Sequence, residues 1–184
     1  MRITGGSARG QIVKTLPGMA VRPTTDKVRE AVFSMLQSLL TNWGRGLDLF
    51  AGSGALGIEA LSRDMEYIDF VDQNGKCCQI IKENLKKTGF TDRSHIYCCP
   101  VSRAIGFLDA SYDIIFMDPP YADSTLGGLL ESLSGSKLVS DETIILASHA
   151  ARSPLEKQYN NLSLIKEKKY GDTCISIYHK EVAS

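Results

Sequence analysis

The chain has 184 residues, of which 43% are apolar and 23% charged, and its formal net charge is zero. This length and composition fit one globular domain with a substantial core and exclude a disordered or fibrous chain. No apolar run approaches the roughly 20 residues that span a bilayer, and the N-terminus lacks the apolar core of a signal peptide. We therefore expect a cytoplasmic protein without membrane contact, formed by one domain over residues 1–184.

The charge is distributed unevenly along the chain. Residues 1–30 hold six basic side chains and two acidic ones, so this segment carries plus four and the remainder minus four. A basic segment on a neutral protein can be the footprint of a polyanion. A solvated basic face without a partner gives the same count, so charge alone leaves both interpretations open.

The sequence holds five cysteines and three histidines. An odd number of cysteines that includes the adjacent pairs Cys77-Cys78 and Cys98-Cys99 is a poor disulfide framework. No C-x-x-C spacing is present and the histidines are scattered, which argues against a zinc site. We therefore predict buried, reduced cysteines and no metal.

At the N-terminus, residues 2–16 combine strand-forming residues with glycine turns, which predicts a hairpin. Arg22-Pro23-Thr24-Thr25 then ends the extended chain and offers hydroxyls that can cap a helix. In that helix, apolar residues from Val28 to Leu40 recur at the i, i+3, i+4 spacing of one buried face. We interpret residues 1–42 as a basic hairpin and helix extension that packs on the main body of the domain.

From residue 46 onward, strand and helix patterns alternate. Strands are predicted at 47–50, 67–72, 96–99, 112–117 and 143–147, helices at 55–63, 74–88, 102–108 and 124–133, and a closing antiparallel pair at 162–169 and 173–178. This order predicts an α/β fold with a doubly wound, mostly parallel seven-stranded sheet. Ligands bind at the carboxyl ends of the strands in such sheets, which brings the loops 50–54, 72–74 and 118–121 together.

A glycine-rich turn follows the first of these strands. Gly52-Ser53-Gly54-Ala55-Leu56-Gly57 matches G-x-G-x-x-G, a pattern shared by dinucleotide-binding and methyl-donor enzymes and also found in turns without a ligand. Asp72 ends the next strand, 20 positions after Gly52, where a carboxylate can accept hydrogen bonds from ribose hydroxyls. The two features together predict a nucleoside-containing cofactor.

The sequence Asp118-Pro119-Pro120-Tyr121 follows a strand that reads as buried on both faces. Two consecutive prolines fix the backbone and remove two N–H groups, so this loop presents only hydrogen-bond acceptors. Acceptors suit an exocyclic amine, which has N–H groups to donate, and Tyr121 offers a ring on which a base can stack. The loop therefore favours a methyl-donor site that faces an amine.

Together, the stretch from Asp48 to Gly54 and the stretch from Asp118 to Tyr121 resemble the motifs of class I S-adenosylmethionine-dependent methyltransferases that modify exocyclic amines of bases. The opening Arg2-Ile3-Thr4-Gly5-Gly6 and the stretch from Arg22 to Glu30 are similar, more narrowly, to the RsmD family of bacterial 16S rRNA guanine-N2 methyltransferases. The resemblance extends over nearly the whole chain. It implies a Rossmann-like enzyme that methylates a guanine N2 amine of 16S rRNA. Because the sulfonium of the donor already makes the methyl group electrophilic, we expect no metal. We expect a monomer that acts on a small-subunit ribonucleoprotein particle, since one small domain has little surface for reading RNA sequence.

The resemblance also implies roles for individual residues. The cofactor site would be formed by Asp48, Phe50, Ala51, Gly52, Gly54, Asp72, Gln73 and Cys99, with Asp72 on the ribose and Gln73 beside the adenine. The catalytic loop that positions the guanine would be formed by Asp118, Pro119, Pro120 and Tyr121. The RNA backbone would contact Arg2, Arg9, Arg22, Thr24, Lys27 and Arg29.

Two positions depart from the family pattern. Family members commonly carry Asn or Asp after the third strand, where this chain has Cys98-Cys99-Pro100, and Pro100 has no N–H to donate to the adenine. A Glu is usual in the fifth strand, where this chain has Ala147-Ser148-His149. We interpret His149 as a loop histidine without a role.

Three other functions fit parts of the sequence. An adenine-N6 or cytosine-N4 methyltransferase acting on DNA or RNA would use the same acceptor loop, but this short chain lacks the usual target-recognition region. A nicotinamide-dependent oxidoreductase would use the same glycine turn, but it leaves the acceptor loop and the basic segment unexplained. A non-catalytic RNA-binding module would bind RNA without transferring a methyl group.

Overall fold

One eight-stranded β-sheet with helices on both faces organises the structure, a computed structural model that describes residues 1–16, 26–120 and 125–181. Its helices are α1 (Asp26–Gln37), α2 (Ala55–Ser62), α3 (Gly75–Thr88), α4 (Val101–Phe107) and α5 (Leu126–Ser134), with a 3-10 turn at Thr91–Arg93. Its strands are β1 (Arg45–Leu49), β2 (Tyr67–Asp72), β3 (Ser94–Cys98), β4 (Tyr112–Met117), β5 (Val139–Ala150), β6 (Gln158–Tyr159), β7 (Leu162–Tyr170) and β8 (Thr173–Lys180). Across these residues, no helix combines the length and apolar character needed to cross a membrane.

The strand order is β3-β2-β1-β4-β5-β8-β7-β6. The first five strands are parallel, and β8 is inserted antiparallel between β5 and β7. The order reverses between β1 and β4, so the crevice at their carboxyl ends is the expected ligand site. The predicted doubly wound α/β fold is confirmed. The sheet has eight strands in the described residues, one more than the seven that were predicted. The additional strand, β6, has two residues, too few to show an alternating pattern.

Apolar residues of β4 face both ways. Ile114 and Phe116 pack in one core cluster with α1, α2 and α3, whereas Ile115 and Met117 pack in a second cluster with α4 and α5. All four side chains are 0% exposed. Burial on both faces explains why this strand is a near-continuous apolar run in the sequence.

Strand β5 is longer than the sequence pattern indicated. It extends to Ala150 because β8 pairs with it up to its last residue. His149 is in register with Cys174, and Ala150 with Thr173. His149 is buried in this strand. The prediction that His149 lies in a loop is therefore wrong, since pairing with a distant strand decides its conformation.

The N-terminal residues are held on α2. Arg2 and Ile12 form a single antiparallel bridge, so the predicted hairpin is present but short. The backbone N–H groups of Thr4 and Gly5 donate to the carboxylate of Glu59, a fully buried residue of α2, each at 2.9 Å. Because α2 begins at the glycine turn, these contacts connect the N-terminal segment to the helix that leaves the carboxyl end of β1.

Candidate active site

The turn between β1 and α2 has an unusual backbone. Phe50, Gly52 and Gly54 adopt positive φ angles of 61°, 59° and 78°. Glycine adopts this region readily, but Phe50 is strained there, and such strain is concentrated at functional sites. A Cβ on Gly52 would meet only the Phe50 carbonyl oxygen, at 3.9 Å, so a ligand can approach this backbone closely.

The third glycine of the motif has a packing role. A Cβ on Gly57 would lie 2.3 Å from the ring of Phe70, so α2 can pack against β2 only because this side chain is absent. The N–H of Gly57 donates to Oδ2 of Asp48 at 2.9 Å. Asp48 therefore satisfies a backbone donor in the first turn of α2 from a position within β1.

Asp48 is almost fully buried, at 2% exposure. The pKa of its carboxyl is raised to about 7, mainly by burial and also by the nearby charges of Asp118 and Asp72, while the hydrogen bond from Gly57 lowers it. Three carboxyl groups thus lie close together at the ends of β1, β2 and β4. Such a group of acids favours a ligand that carries positive charge.

Asp72 closes the turn from the neighbouring strand. Its Oδ2 accepts from the N–H of Gly52 at 2.8 Å, and its Oδ1 accepts from the N–H of Asn74 at 2.8 Å. Each carboxylate oxygen has a second lone pair, so both can still accept a hydroxyl. Gln73 lies exposed beside it, and Asn74 caps α3 by accepting from the N–H of Lys76 at 2.9 Å.

Asn84 was not among the residues predicted from the sequence to form the site, yet it holds the glycine turn in place through a hydrogen bond. Asn84 lies on α3, is 1% exposed, and donates from Nδ2 to the carbonyl oxygen of Ser53 at 2.9 Å. The signal was available, because Asn84 follows Ile81 by three positions and precedes Leu85 on the buried face of this helix. A polar residue at a core position is a candidate for a built hydrogen-bond network.

The acceptor loop begins at the adjacent strand end. Met117 is in register with Leu49, so Asp118 follows β4 beside the start of the glycine turn. Asp118 is half-buried, Pro119 buried and Pro120 exposed. Tyr121 lies outside the described residues. The glycine turn, predicted to bind the cofactor, and the start of the acceptor loop, predicted to bind the amine, therefore lie at the same edge of the sheet.

Cys99 follows the end of β3 and packs partly buried against the α4 side of the sheet. Pro100 precedes α4, and its carbonyl accepts from the N–H groups of Arg103 and Ala104, each at 3.1 Å. Proline suits this position because the N–H it lacks has no partner in the helix. A contact of Cys99 with the adenine stays a prediction.

Of the six residues predicted to contact RNA, only some lie on the surface of the described structure. Arg2, Arg9 and Lys27 are exposed, and Arg22 and Thr24 lie outside the described residues. Arg29 is 1% exposed, and its guanidinium donates to Glu59 at 3.3 Å, to Asp26 at 2.9 Å and to the Arg2 carbonyl. The prediction that Arg29 contacts RNA is therefore corrected: its charge compensates the buried carboxylate of Glu59.

A doubly wound sheet with a glycine turn after β1, a carboxylate at the end of β2 and an Asp-Pro-Pro loop after β4 defines a Rossmann-like methyltransferase. The model of a family described as "Conserved hypothetical protein 95" matches residues 1–179. The chain belongs to this family, which is the RsmD family that the sequence resembles.

Named relatives cover nearly the whole chain. "Putative rRNA methyltransferase YlbH" of Bacillus subtilis is 38% identical over 183 residues, 98% of this chain and 99% of that protein. "Ribosomal RNA small subunit methyltransferase D" of Escherichia coli is 31% identical over 184 residues, 98% of this chain and 90% of that protein. The solved structure of "Putative methyltransferase yhhF from Escherichia coli" covers 98% of each chain with a TM-score of 0.87 and 28% identity. These relatives confirm the methyltransferase class that the sequence predicted.

Proposed function

We propose that this protein transfers a methyl group from S-adenosylmethionine to the exocyclic N2 amine of a guanine in 16S rRNA. The observation that carries the proposal is the position of two loops at one sheet edge. The glycine turn with Asp48 and Asp72 lies beside the acceptor loop that begins at Asp118. Relatives named for methylation of small-subunit rRNA support the choice of substrate.

The residues of the glycine turn fit this cofactor. S-adenosylmethionine carries positive charge on its sulfonium and its amino group, which the grouped carboxylates favour. Asp48 and the backbone of residues 51–54 would hold the methionine part, Asp72 the ribose hydroxyls, and Gln73 with Cys99 the adenine. When bound, the cofactor would supply an electrophilic methyl group, because its sulfur is positively charged.

The acceptor loop would orient the amine. Asp118 and the carbonyl groups of the Asp118-Pro119 backbone accept the two amine hydrogens, which directs the nitrogen lone pair away from the loop. Fixing this direction contributes most of the rate enhancement, since a bimolecular encounter becomes a positioned one. Asp118 also stabilises the positive charge that develops on the nitrogen and takes up its proton, directly or through water.

A guanine paired within an RNA helix would not reach this loop. The target must therefore be unpaired or flipped out, with its face against Tyr121. A single domain offers little surface for reading sequence. We accordingly propose that the substrate is a small-subunit ribonucleoprotein particle, gripped by the exposed basic residues Arg2, Arg9 and Lys27.

The test is methyl transfer from labelled donor to small-subunit particles purified from cells that lack the enzyme. N2-methylguanine at one position of 16S rRNA is the expected product, and naked 16S rRNA should be a poorer substrate. Labelled N6-methyladenine or N4-methylcytosine would contradict the guanine assignment. RNA binding without transfer would contradict the enzymatic proposal, and calorimetry with a nicotinamide dinucleotide tests the oxidoreductase alternative.

A further inference from the structure

A second group of chemically reactive side chains lies on β5, β8 and β7, apart from the glycine turn. His149 of β5 is in register with Cys174 of β8, and Ser176 of β8 is in register with Glu167 of β7. Cys174 and Ser176 are two positions apart and therefore share one face of the sheet. His149, Cys174 and Ser176 are buried, whereas Glu167 is exposed.

The orientation of His149 is fixed by its backbone neighbours. Nδ1 lies 3.0 Å from the carbonyl oxygen of Ser153 and 3.2 Å from that of Ala150. Both partners only accept hydrogen bonds, so Nδ1 carries the proton and Nε2 presents a lone pair in the neutral ring. Nε2 is directed into the cluster, 2.9 Å from Oγ of Ser176. Histidines that bind metals commonly donate their other N–H to a carbonyl in this way.

The spacing of the donor atoms suits a small cation. The ligand atoms of His149, Glu167 and Cys174 all lie within 4.8 Å of one another. Ser176 Oγ lies 2.9 Å from Nε2 and 3.2 Å from the Glu167 carboxylate. Tetrahedral zinc separates its nitrogen, oxygen and sulfur ligands by about 3.3 to 3.7 Å. Glu167 is the exposed member of the group, so its side chain has room to adjust when an ion binds.

We propose that His149, Cys174 and Glu167 bind one divalent transition metal ion, with zinc as the preferred ion and Ser176 or a water molecule in the fourth position. A thiolate and a carboxylate with a neutral imidazole balance two positive charges. The thiolate favours zinc over magnesium or calcium, which select oxygen ligands. No zinc-ligand spacing is visible along the chain because the three ligands come from three strands that only the sheet brings together.

The ion would connect three adjacent strands of the sheet, β5, β8 and β7. Of the three, β5 is the strand paired with β4, with Ala147 in register with Met117 directly before the acceptor loop. The ion takes no part in the methyl transfer proposed above and does not depend on it. Its effects are therefore measurable in the absence of cofactor and RNA.

Cobalt titration of the chelator-treated, fully reduced protein tests the site. We expect one equivalent of Co²⁺ to bind, with tetrahedral absorption bands and a sulfur-to-cobalt charge-transfer band, and zinc to displace it and raise the Tm. Cys174→Ser should abolish the charge-transfer band. Cys98→Ser, which removes an exposed cysteine elsewhere on the sheet, is the control and should leave the band unchanged.

A second variant, Glu167→Gln, tests the site through its zinc affinity and can be used if the buried Cys174→Ser variant fails to fold. Because Glu167 is exposed, its replacement should preserve the fold while lowering zinc affinity at least about tenfold, as even the outer partners of metal ligands do. Competition with a chromophoric chelator measures that affinity. Absence of stoichiometric binding, a charge-transfer band that persists in Cys174→Ser, or unchanged zinc affinity in Glu167→Gln would each overturn the proposal.

Discussion

Asn84 donates a hydrogen bond to the carbonyl oxygen of Ser53 at 2.9 Å, and this contact joins α3 to the glycine turn. The same amide donates to the carbonyl of Lys14 at 3.0 Å and accepts from the Lys14 N–H at 2.8 Å. One buried side chain therefore holds the N-terminal segment and the turn in a fixed relation. If the proposed RNA and cofactor surfaces are correct, Asn84 sets the distance between them.

Replacing Asn84 by alanine should weaken both stability and cofactor binding. The backbone groups of Ser53 and Lys14 would lose their partners, and each group left unpaired in a buried site costs about 1–3 kcal/mol. Urea unfolding should show a loss of at least that size, and calorimetry should show a lower affinity for S-adenosylmethionine because the turn is less well ordered. Gln79→Ala, on the exposed face of α3, is the matched control. Equal unfolding midpoints for the two variants would contradict the role of Asn84.

Local sequence pattern predicted β2 and β4 to the residue, because most of their residues are β-branched or aromatic and this local preference needs no tertiary information. The same kind of pattern did not reveal that Arg29 is buried, and Arg29 was therefore predicted to be one of the basic residues that contact RNA. Arg29 lies three and four positions before Val32 and Phe33, on the buried face of α1. Only the fold reveals its partner, because Glu59 is 30 residues away on α2.

The raised pKa of Asp48 predicts a pH-dependent stability. The ordinary pKa is 3.8 and the folded value is about 7, so between these values the folded state binds the additional proton. Stability should therefore fall as pH rises from about 4 to about 7. Asp48→Asn keeps an oxygen for the Gly57 N–H but has no charge, so above pH 7 it should be more stable than the wild type, by on the order of 4 kcal/mol.

Urea unfolding at pH 5 and pH 8 measures this difference. Asp109→Asn is the control, since Asp109 is an exposed residue paired with Lys137, which lowers its pKa. Affinity for the cationic cofactor should rise with pH through about 7 in the wild type, because the deprotonated Asp48 attracts it, and should be flat in Asp48→Asn. The same pH profile in wild type and Asp48→Asn would show that Asp48 does not titrate in this range.

Charge reversal at Arg9 and Lys27 tests the proposed RNA surface. Both residues are exposed, and each lost phosphate contact should reduce the slope of log affinity against log salt by roughly 0.7 to 0.9. The double variant should therefore bind small-subunit rRNA more weakly and with a shallower slope, measured by filter binding over a salt series. Lys137→Glu, at an exposed lysine paired with Asp109 outside the basic segment, is the control for a charge reversal at one site and is compared with each single variant, Arg9→Glu and Lys27→Glu. An unchanged slope in the double variant would remove these two residues from the interface.

Asp118→Ala should separate catalysis from cofactor binding. The carboxylate accepts an amine hydrogen only when the guanine is in place, so its loss should lower kcat by roughly 10²–10³-fold, the usual effect of removing one group that stabilises developing charge. Affinity for S-adenosylmethionine should fall far less than kcat, since the variant loses only one of the three grouped carboxylates and the glycine turn, Asp48 and Asp72 are intact. Single-turnover transfer and calorimetry on the same preparation measure the two quantities, with Asp109→Ala as the exposed control. A variant that loses cofactor affinity but keeps normal turnover at saturating cofactor would assign Asp118 to the cofactor site instead.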